Sequence, residues 1–113
     1  MDDMIVTDLE RIRSILLEKK EKILCVFSQT SSFAPRMPDK VEEIAILCKE
    51  FGVNHLVNNA FGLCSSKICH GINMASKSGV VDFVVQSTDK NFMTPVGGSI
   101  VFSSSKAIMK EFA

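Results

Sequence analysis

Lys90 is the residue of this sequence whose surroundings most favour chemistry. The apolar stretch Phe83–Val85 ends abruptly in the polar residues 86–89, and Lys90 follows directly. An amine at the carboxyl end of a buried strand lies where open α/β sheets bind their ligands. Partial burial of a lysine favours its neutral form, which attacks carbonyl carbons. Lys90 is therefore a candidate for covalent chemistry with a carbonyl compound, against the common alternative of a solvated surface lysine.

Asn58 and Asn59 form a second candidate, because they follow the apolar stretch His55–Val57. Neighbouring parallel strands bring their carboxyl ends together, so Asn58 and Lys90 could line one crevice. Two asparagines before Ala60-Phe61-Gly62 also suit an ordinary turn, since asparagine tolerates left-handed backbone. Both interpretations remain open on these residues alone.

Hydroxyl groups next to Lys90 suggest a weaker third candidate. Ser87 and Thr88 could bind a phosphate through their hydroxyl and backbone N–H groups, although such clusters are mostly ordinary loops. Asp89 would repel a phosphate unless it points away. His55 and His70 have no partners at metal-ligand spacing, so we expect both to be structural or surface residues and predict no metal site.

The composition sets limits on the class of protein. The chain has 113 residues, 46% of them hydrophobic, which suits a single domain, and its 13 basic and 13 acidic residues cancel. Composition thus gives no sign of nucleic-acid or membrane-surface binding. Its four cysteines include no CxxC pair and are expected to be structural thiols. Without a signal-like amino terminus or an apolar run of about 20 residues, a cytoplasmic protein that does not enter the membrane is expected.

Alternating helices and strands are predicted along the chain. The helices are a first one capped by Thr7 or Asp8 and reaching about Lys20, a second opened by Pro38-Asp39 and stopped by Gly52, a third over roughly 65–77, and a last one starting near Ser104. The strands cover residues 22–27, 55–57, 81–85 and 98–102. This order predicts an α/β fold with a mostly parallel sheet flanked by helices.

We expect residues 1–113 to be part of a larger domain. A sheet of three or four strands with these helices covers one face poorly, and the terminal helix would stop at Ala113 after about two turns.

Three segments resemble one family when taken together: VNNAFG (57–62), SSK (65–67) and VVQSTDKNFMTPVGG (84–98). They are similar to O-phosphoseryl-tRNA(Sec) selenium transferases of the archaeal and eukaryotic type, and the loop SSFAPRMPDKVEEIA (31–45) resembles them too. The resemblance implies the large domain of a fold-type-I pyridoxal-phosphate enzyme, of which this chain would hold the lysine-bearing core.

Residue roles follow from that resemblance. Lys90 would hold pyridoxal 5'-phosphate covalently, Asn58 would face the pyridine nitrogen where related enzymes carry an aspartate, and Ser87 would complete the cofactor site. Asn58 supplies no charge, which implies a milder electron sink. Lys77 matches a position where relatives have a basic residue, usually arginine, that contacts tRNA. Phe61 stands where tyrosine is more usual.

The implied activity is the conversion of O-phosphoseryl-tRNA(Sec) to selenocysteinyl-tRNA(Sec) with selenophosphate, in selenocysteine biosynthesis. Relatives are homotetramers. Substrate-binding arginines and the phosphate-binding loop of the family have no counterpart here, so the isolated chain is expected to be inactive. Two alternatives remain: a truncated interaction module that associates with full-length subunits, and a different fold-type-I enzyme such as a desulfurase or lyase.

Overall fold

The computed structural model describes residues 3–112 and shows the predicted alternation of helices and strands. The strands are β1 (Cys25–Gln29), β2 (Asn54–Asn58), β3 (Phe83–Ser87) and β4 (Ser99–Phe102). The helices are α1 (Leu9–Lys19), α2 (Val41–Phe51), α3 (Ser66–Ser78), the single turn α4 (Thr88–Asn91) and α5 (Lys106–Phe112). Ala113, the predicted stop of the last helix, lies outside the described residues, as do Met1 and Asp2.

The described strands form one sheet in the order β1-β2-β3-β4. The first three strands run parallel, and β4 pairs antiparallel with β3. The predicted mostly parallel sheet is therefore confirmed. The register places Gln29, Asn58 and Val85 side by side, so β1 and β2 end level with each other while β3 continues for two more residues.

Local signals define the helix ends. The Asp8 carboxylate accepts a hydrogen bond from the Arg11 backbone N–H at 2.9 Å and caps α1. Ser65 caps α3 in the same way through the Ile68 N–H. Helix α2 ends before Gly52, which takes a left-handed φ of 67°. The predicted cap at Asp8 and the predicted stop at Gly52 are confirmed, and the third helix lies close to its predicted range. Helix α2 begins at Val41 rather than at Pro38-Asp39.

Helices α1, α2 and α3 pack on one face of the sheet. One apolar cluster joins α2, α3, β2 and β3 through Ala45, Ala75, Val57 and Val84, with Val81 just before β3. A second cluster joins α1 to α2 through Leu16, Leu47 and Val53. Burial of this apolar surface supplies the main favourable term in folding.

Side chains alternate along the strands, so a second set points to the opposite face. Phe27, Leu56 and Phe83 lie side by side across that face. Phe27 is 58% exposed. Ile108 and Glu111 of α5 line a cavity on this side with Leu56 and Phe83, so α5 reaches only part of it.

Two predicted strand boundaries are wrong in the same direction. Strand β1 ends at Gln29 rather than Phe27, and β3 ends at Ser87 rather than Val85. The polar residues that seemed to end each strand are instead paired: Gln29 with Asn58, and Ser87 with Ser99. Strand β1 also starts late, at Cys25, because Lys20–Lys22 form a 3-10 turn after α1.

Among residues 3–112, no helix is both long enough and apolar enough to cross a bilayer.

Candidate functional site

Lys90 lies just beyond the carboxyl end of β3, as predicted, in the single turn α4. Its Nζ lies 3.0 Å from Asp89 Oδ2, and its side chain is 43% exposed. The predicted desolvation of the amine is therefore not found in this chain. The physical reason is that residues 92–100, which follow α4, are all exposed and leave the amine open to water.

The carboxylate of Asp89 contacts two nearby side chains. The Ser87 hydroxyl donates to Asp89 Oδ1, and the Lys90 ammonium pairs with Oδ2. The Ser87 hydrogen bond and, next, the Lys90 ammonium hold the pKa of Asp89 below its usual value. Asp89 is therefore a carboxylate that lowers the net charge around the amine. The hydroxyl of Ser87, a predicted cofactor ligand, is engaged with Asp89 in this arrangement.

Asn58 is the last residue of β2, and Asn59, which follows it, points to the opposite side of the sheet. Asn58 is half-buried, and its Oδ1 accepts the Ala60 backbone N–H at 3.0 Å, which leaves its NH₂ group as the available donor. Asn59 is 2% exposed and lies on the helix-covered face. There it bonds to Thr30 Oγ1 at 2.7 Å and Gln86 Oε1 at 3.0 Å. Only Asn58 is therefore open to a ligand.

The amine of Lys90 lies beside an aromatic ring. Its Nζ lies 5.7 Å from the ring centroid of Phe61, within cation–π range. The Phe61 ring meets Phe33 edge to face, with centroids 5.7 Å apart. Phe33 follows β1, Phe61 follows β2 and Lys90 follows β3. The carboxyl edge of the parallel strands therefore carries an amine beside an aromatic pair.

The other residues singled out by sequence lie away from this edge. Lys77 is exposed in the last turn of α3, and His70 is exposed on the same helix. His55 is fully buried and hydrogen-bonded to Ser28 Oγ and the Val80 carbonyl, which confirms its structural role. No group of three or more potential ligands for a metal ion is found in residues 3–112.

Sequence reasoning missed the part played by Gln86 and Asn91. Gln86 is 3% exposed and points to the helix-covered face, and both amides contact backbone next to Lys90. One signal was present: Gln86 follows Val84 at a strand spacing of two, so a polar side chain takes an inward position. Buried polar side chains form hydrogen bonds, and those donated by Gln86 go to backbone carbonyls at the carboxyl edge that carries Lys90.

Comparison with known proteins gives a consistent result. The family profile described as O-phosphoseryl-tRNA(Sec) selenium transferase, SepSecS, matches residues 1–113. The enzyme of that name from Dictyostelium discoideum is 56% identical over 100 residues, which cover 88% of this chain and 21% of that protein. The one from Methanopyrus kandleri is 43% identical over 109 residues, covering 96% of this chain and 25% of that protein. The chain thus spans a fifth to a quarter of these relatives.

Solved structures share the fold. The crystal structure of an archaeal O-phosphoseryl-tRNA(Sec) selenium transferase superposes with a TM-score of 0.88 at 32% identity, covering 96% of this chain and 25% of that chain. Catharanthus roseus tryptophan decarboxylase superposes with a TM-score of 0.70 at 13% identity, covering 94% of this chain and 24% of that one.

The fold is that of the fold-type-I enzymes that use pyridoxal phosphate. In this chain the three parallel strands carry helices packed on one face, and Lys90 follows the third of them. The chain belongs to the O-phosphoseryl-tRNA(Sec) selenium transferase family.

Proposed function

We propose that this chain supplies the lysine-bearing part of an enzyme that converts O-phosphoseryl-tRNA(Sec) to selenocysteinyl-tRNA(Sec), with pyridoxal 5'-phosphate as cofactor and selenophosphate as selenium donor. The observation that carries the proposal is the position of Lys90 at the carboxyl edge of the sheet. The chain is also 56% identical to the O-phosphoseryl-tRNA(Sec) selenium transferase of Dictyostelium discoideum. Because the matched residues cover 21% of that relative, we propose the activity for a full-length enzyme that contains this region.

The groups present at the edge suit this cofactor. An aldehyde-bearing aromatic ring needs a reachable primary amine, and the Lys90 side chain is 43% exposed. Phe61 offers an aromatic surface 5.7 Å from that amine. When bound, pyridoxal phosphate supplies an electron sink for charge that develops at the carbon next to the amino group.

Three side chains have distinct proposed roles at this site. Lys90 holds the cofactor covalently and, when released, carries a proton at Nζ. Asn58 offers its NH₂ group to the pyridine nitrogen, because its Oδ1 already accepts the Ala60 N–H. A neutral donor supports an unprotonated ring nitrogen, in contrast to an aspartate, so the sink is mild. Ser87 contributes its hydroxyl to the cofactor once it leaves Asp89.

The outer contacts are also part of the proposal. Lys77 is exposed on α3 and gives a positive charge for tRNA phosphates. The full-length enzyme is proposed to be a cytoplasmic homotetramer, as the resemblance implies.

The cofactor role of Lys90 is tested by adding pyridoxal phosphate to the purified chain and recording visible absorbance. The expected result is a band for covalently bound cofactor that Lys90→Ala abolishes. Lys67→Ala is the matched control, because Lys67 is another exposed lysine and lies in α3. Equal bands in the wild type and Lys90→Ala would contradict the role.

A second candidate function is that of an interaction module for full-length subunits. The observation that favours it is the partly uncovered apolar face of the sheet, on which Phe27 is 58% exposed. Co-purification of the tagged chain with a co-expressed full-length relative, and no cofactor in the chain itself, is the expected result. Failure to co-purify would exclude it.

A further inference from the structure

Two side-chain amides bind the same pair of backbone carbonyls beside Lys90. Gln86 Nε2 lies 3.2 Å from the Ala60 oxygen and 3.1 Å from the Ser87 oxygen. Asn91 Nδ2 lies 2.6 Å from the Ala60 oxygen and 3.3 Å from the Ser87 oxygen. Each NH₂ group has two donors, so each amide can reach both carbonyls. We call this arrangement the amide clamp.

The amide clamp joins the loop after β2 to the end of β3, just beyond the backbone hydrogen bond from the Asn59 N–H to the Val85 carbonyl. Ala60 belongs to the loop after β2, and its N–H binds the Asn58 side chain. Ser87 is the last residue of β3, directly before the turn that holds Lys90. A continuous path of hydrogen bonds therefore runs from the Asn58 amide to the turn of Lys90.

The inner half of the clamp is itself fixed in place. The Oε1 of Gln86 accepts from Asn59 Nδ2 at 3.0 Å, and Asn59 Oδ1 accepts from the Thr30 hydroxyl at 2.7 Å. All three side chains are at most 4% exposed. This row crosses the ends of β1, β2 and β3, and every donor points towards the Lys90 side. Gln86 is therefore oriented with its NH₂ group towards the two carbonyls.

Stability alone does not account for this row. Apolar side chains of the same shape would replace such a buried polar set with little loss of stability, because the net gain of each hydrogen bond is small. What an apolar replacement would lose is direction, since packing does not orient the two segments against each other. Buried hydrogen-bonded networks specify one arrangement.

We propose that Gln86 and Asn91 are positioning residues that set the distance and direction of the Lys90 amine relative to Asn58. This inference rests on the proposed function, in which those two side chains contact one cofactor. A shift of about 1 Å between groups that must meet one ligand is enough to lower its capture strongly.

The test uses Asn91→Asp, which keeps the size of the side chain and removes both donors. Asn73→Asp is the matched control, because Asn73 is exposed on α3 and the substitution adds the same charge. Hydrogen exchange is measured without cofactor at Ala60, whose N–H binds Asn58, at Phe92, whose N–H binds the Thr88 carbonyl, and at buried Val53 as reference.

Asn91→Asp is expected to speed exchange at Ala60 and Phe92 on the order of tenfold, with Val53 unchanged, since two hydrogen bonds of about 0.5–1.5 kcal/mol each are lost. Uptake of pyridoxal phosphate should fall by a similar factor, and the control should match the wild type. Asn91→Ala, which removes the same donors without a charge, should reproduce the pattern.

Two results would overturn the inference: exchange at Ala60 and Phe92 that equals the control, or faster exchange at Val53 to the same extent, which would mean general loss of structure. Because exchange is measured without cofactor, it remains decisive if the wild-type chain takes up no pyridoxal phosphate. That outcome would count against the proposed function instead.

Discussion

The helix-covered face of the sheet changes character within two residues. Val57 in the middle of β2 is fully buried among apolar side chains, whereas Asn59, two positions later, is 2% exposed and hydrogen-bonded on both sides. Strand β3 repeats the change, with Val84 packed in the apolar cluster and Gln86 bonded to Asn59. The middle of this face is held by packing and its carboxyl edge by hydrogen bonds.

This difference separates stability from orientation. Apolar burial is non-directional and roughly proportional to area, so the middle of the face supplies free energy but little angular control. Hydrogen bonds weaken steeply when they bend, so the edge supplies angular control for a modest net free energy. The candidate site lies at the edge, where orientation matters.

The largest effect is expected where the packed region leaves no room. A Cβ atom on Gly79 would overlap the backbone of Ala45 and Ile46 in α2, and backbone atoms cannot move aside. Gly79→Ala should therefore lower the free energy of unfolding by about 3 kcal/mol. Urea denaturation followed by circular dichroism measures it.

Gly71→Ala is the control for that substitution, because a Cβ atom on Gly71 in α3 has nothing within 4 Å. Alanine favours a helix interior over glycine, so stability should stay equal or rise by about 0.5–1 kcal/mol. Equal losses in both variants would mean that close packing against α2 is not what Gly79 provides.

A smaller loss of stability is expected at the edge. A Cβ atom on Gly62 would overlap side-chain atoms of Asn59, Ile68 and Thr30, and side chains give way at a lower cost than backbone does. Gly62→Ala should cost about 1–2 kcal/mol in the same urea experiment. Its effect on pyridoxal phosphate uptake should exceed that of Gly79→Ala when both are compared at a temperature where each is folded. The reverse order would break the distinction between the two regions.

His55 gives the smallest of the three effects, and it depends on pH. The Val80 carbonyl can only accept, so Nδ1 carries the proton and Nε2, 2.7 Å from Ser28 Oγ, accepts from that hydroxyl. Burial lowers the pKa of His55, against the opposing effects of the Val80 carbonyl and of Asp82. The unfolded chain therefore binds the proton first, and stability is lost as the pH falls below about 6.5.

Stability measured between about pH 7.5 and 5 should thus decrease in the wild type and much less in His55→Gln. His70→Gln, at an exposed position on α3, should keep the wild-type dependence. A His55→Gln variant whose stability follows pH as the wild type does would show that His55 is not the titrating group.

Element order, the parallel arrangement and the position of Lys90 could be predicted from the sequence because they depend on local periodicity and chain order. Strand ends could not, since Ser28 and Gln86 look like the start of a loop. In the structure Ser28 bonds to His55, 27 residues away, and Gln86 to Asn59, also 27 residues away. Polar residues that find partners across strands carry no local signal of burial.

The exposure of Lys90 could not be predicted from the sequence either. Apolar residues after the lysine, such as Phe92 and Val96, suggest a covered turn, but they are 49% and 90% exposed. None of the described residues packs over Phe92 and Val96 closely enough to bury them. The site's side chains were therefore predictable by type and strand position, while their solvation was not.

We propose above that the carboxyl edge of the sheet presents Lys90 to pyridoxal phosphate. The most direct measurement treats the chain with limiting pyridoxal phosphate, reduces the product with borohydride and locates the added mass by peptide mapping. We expect the label predominantly on Lys90, at a level well above that on exposed lysines such as Lys67 and Lys77. A label spread evenly over the exposed lysines would contradict it.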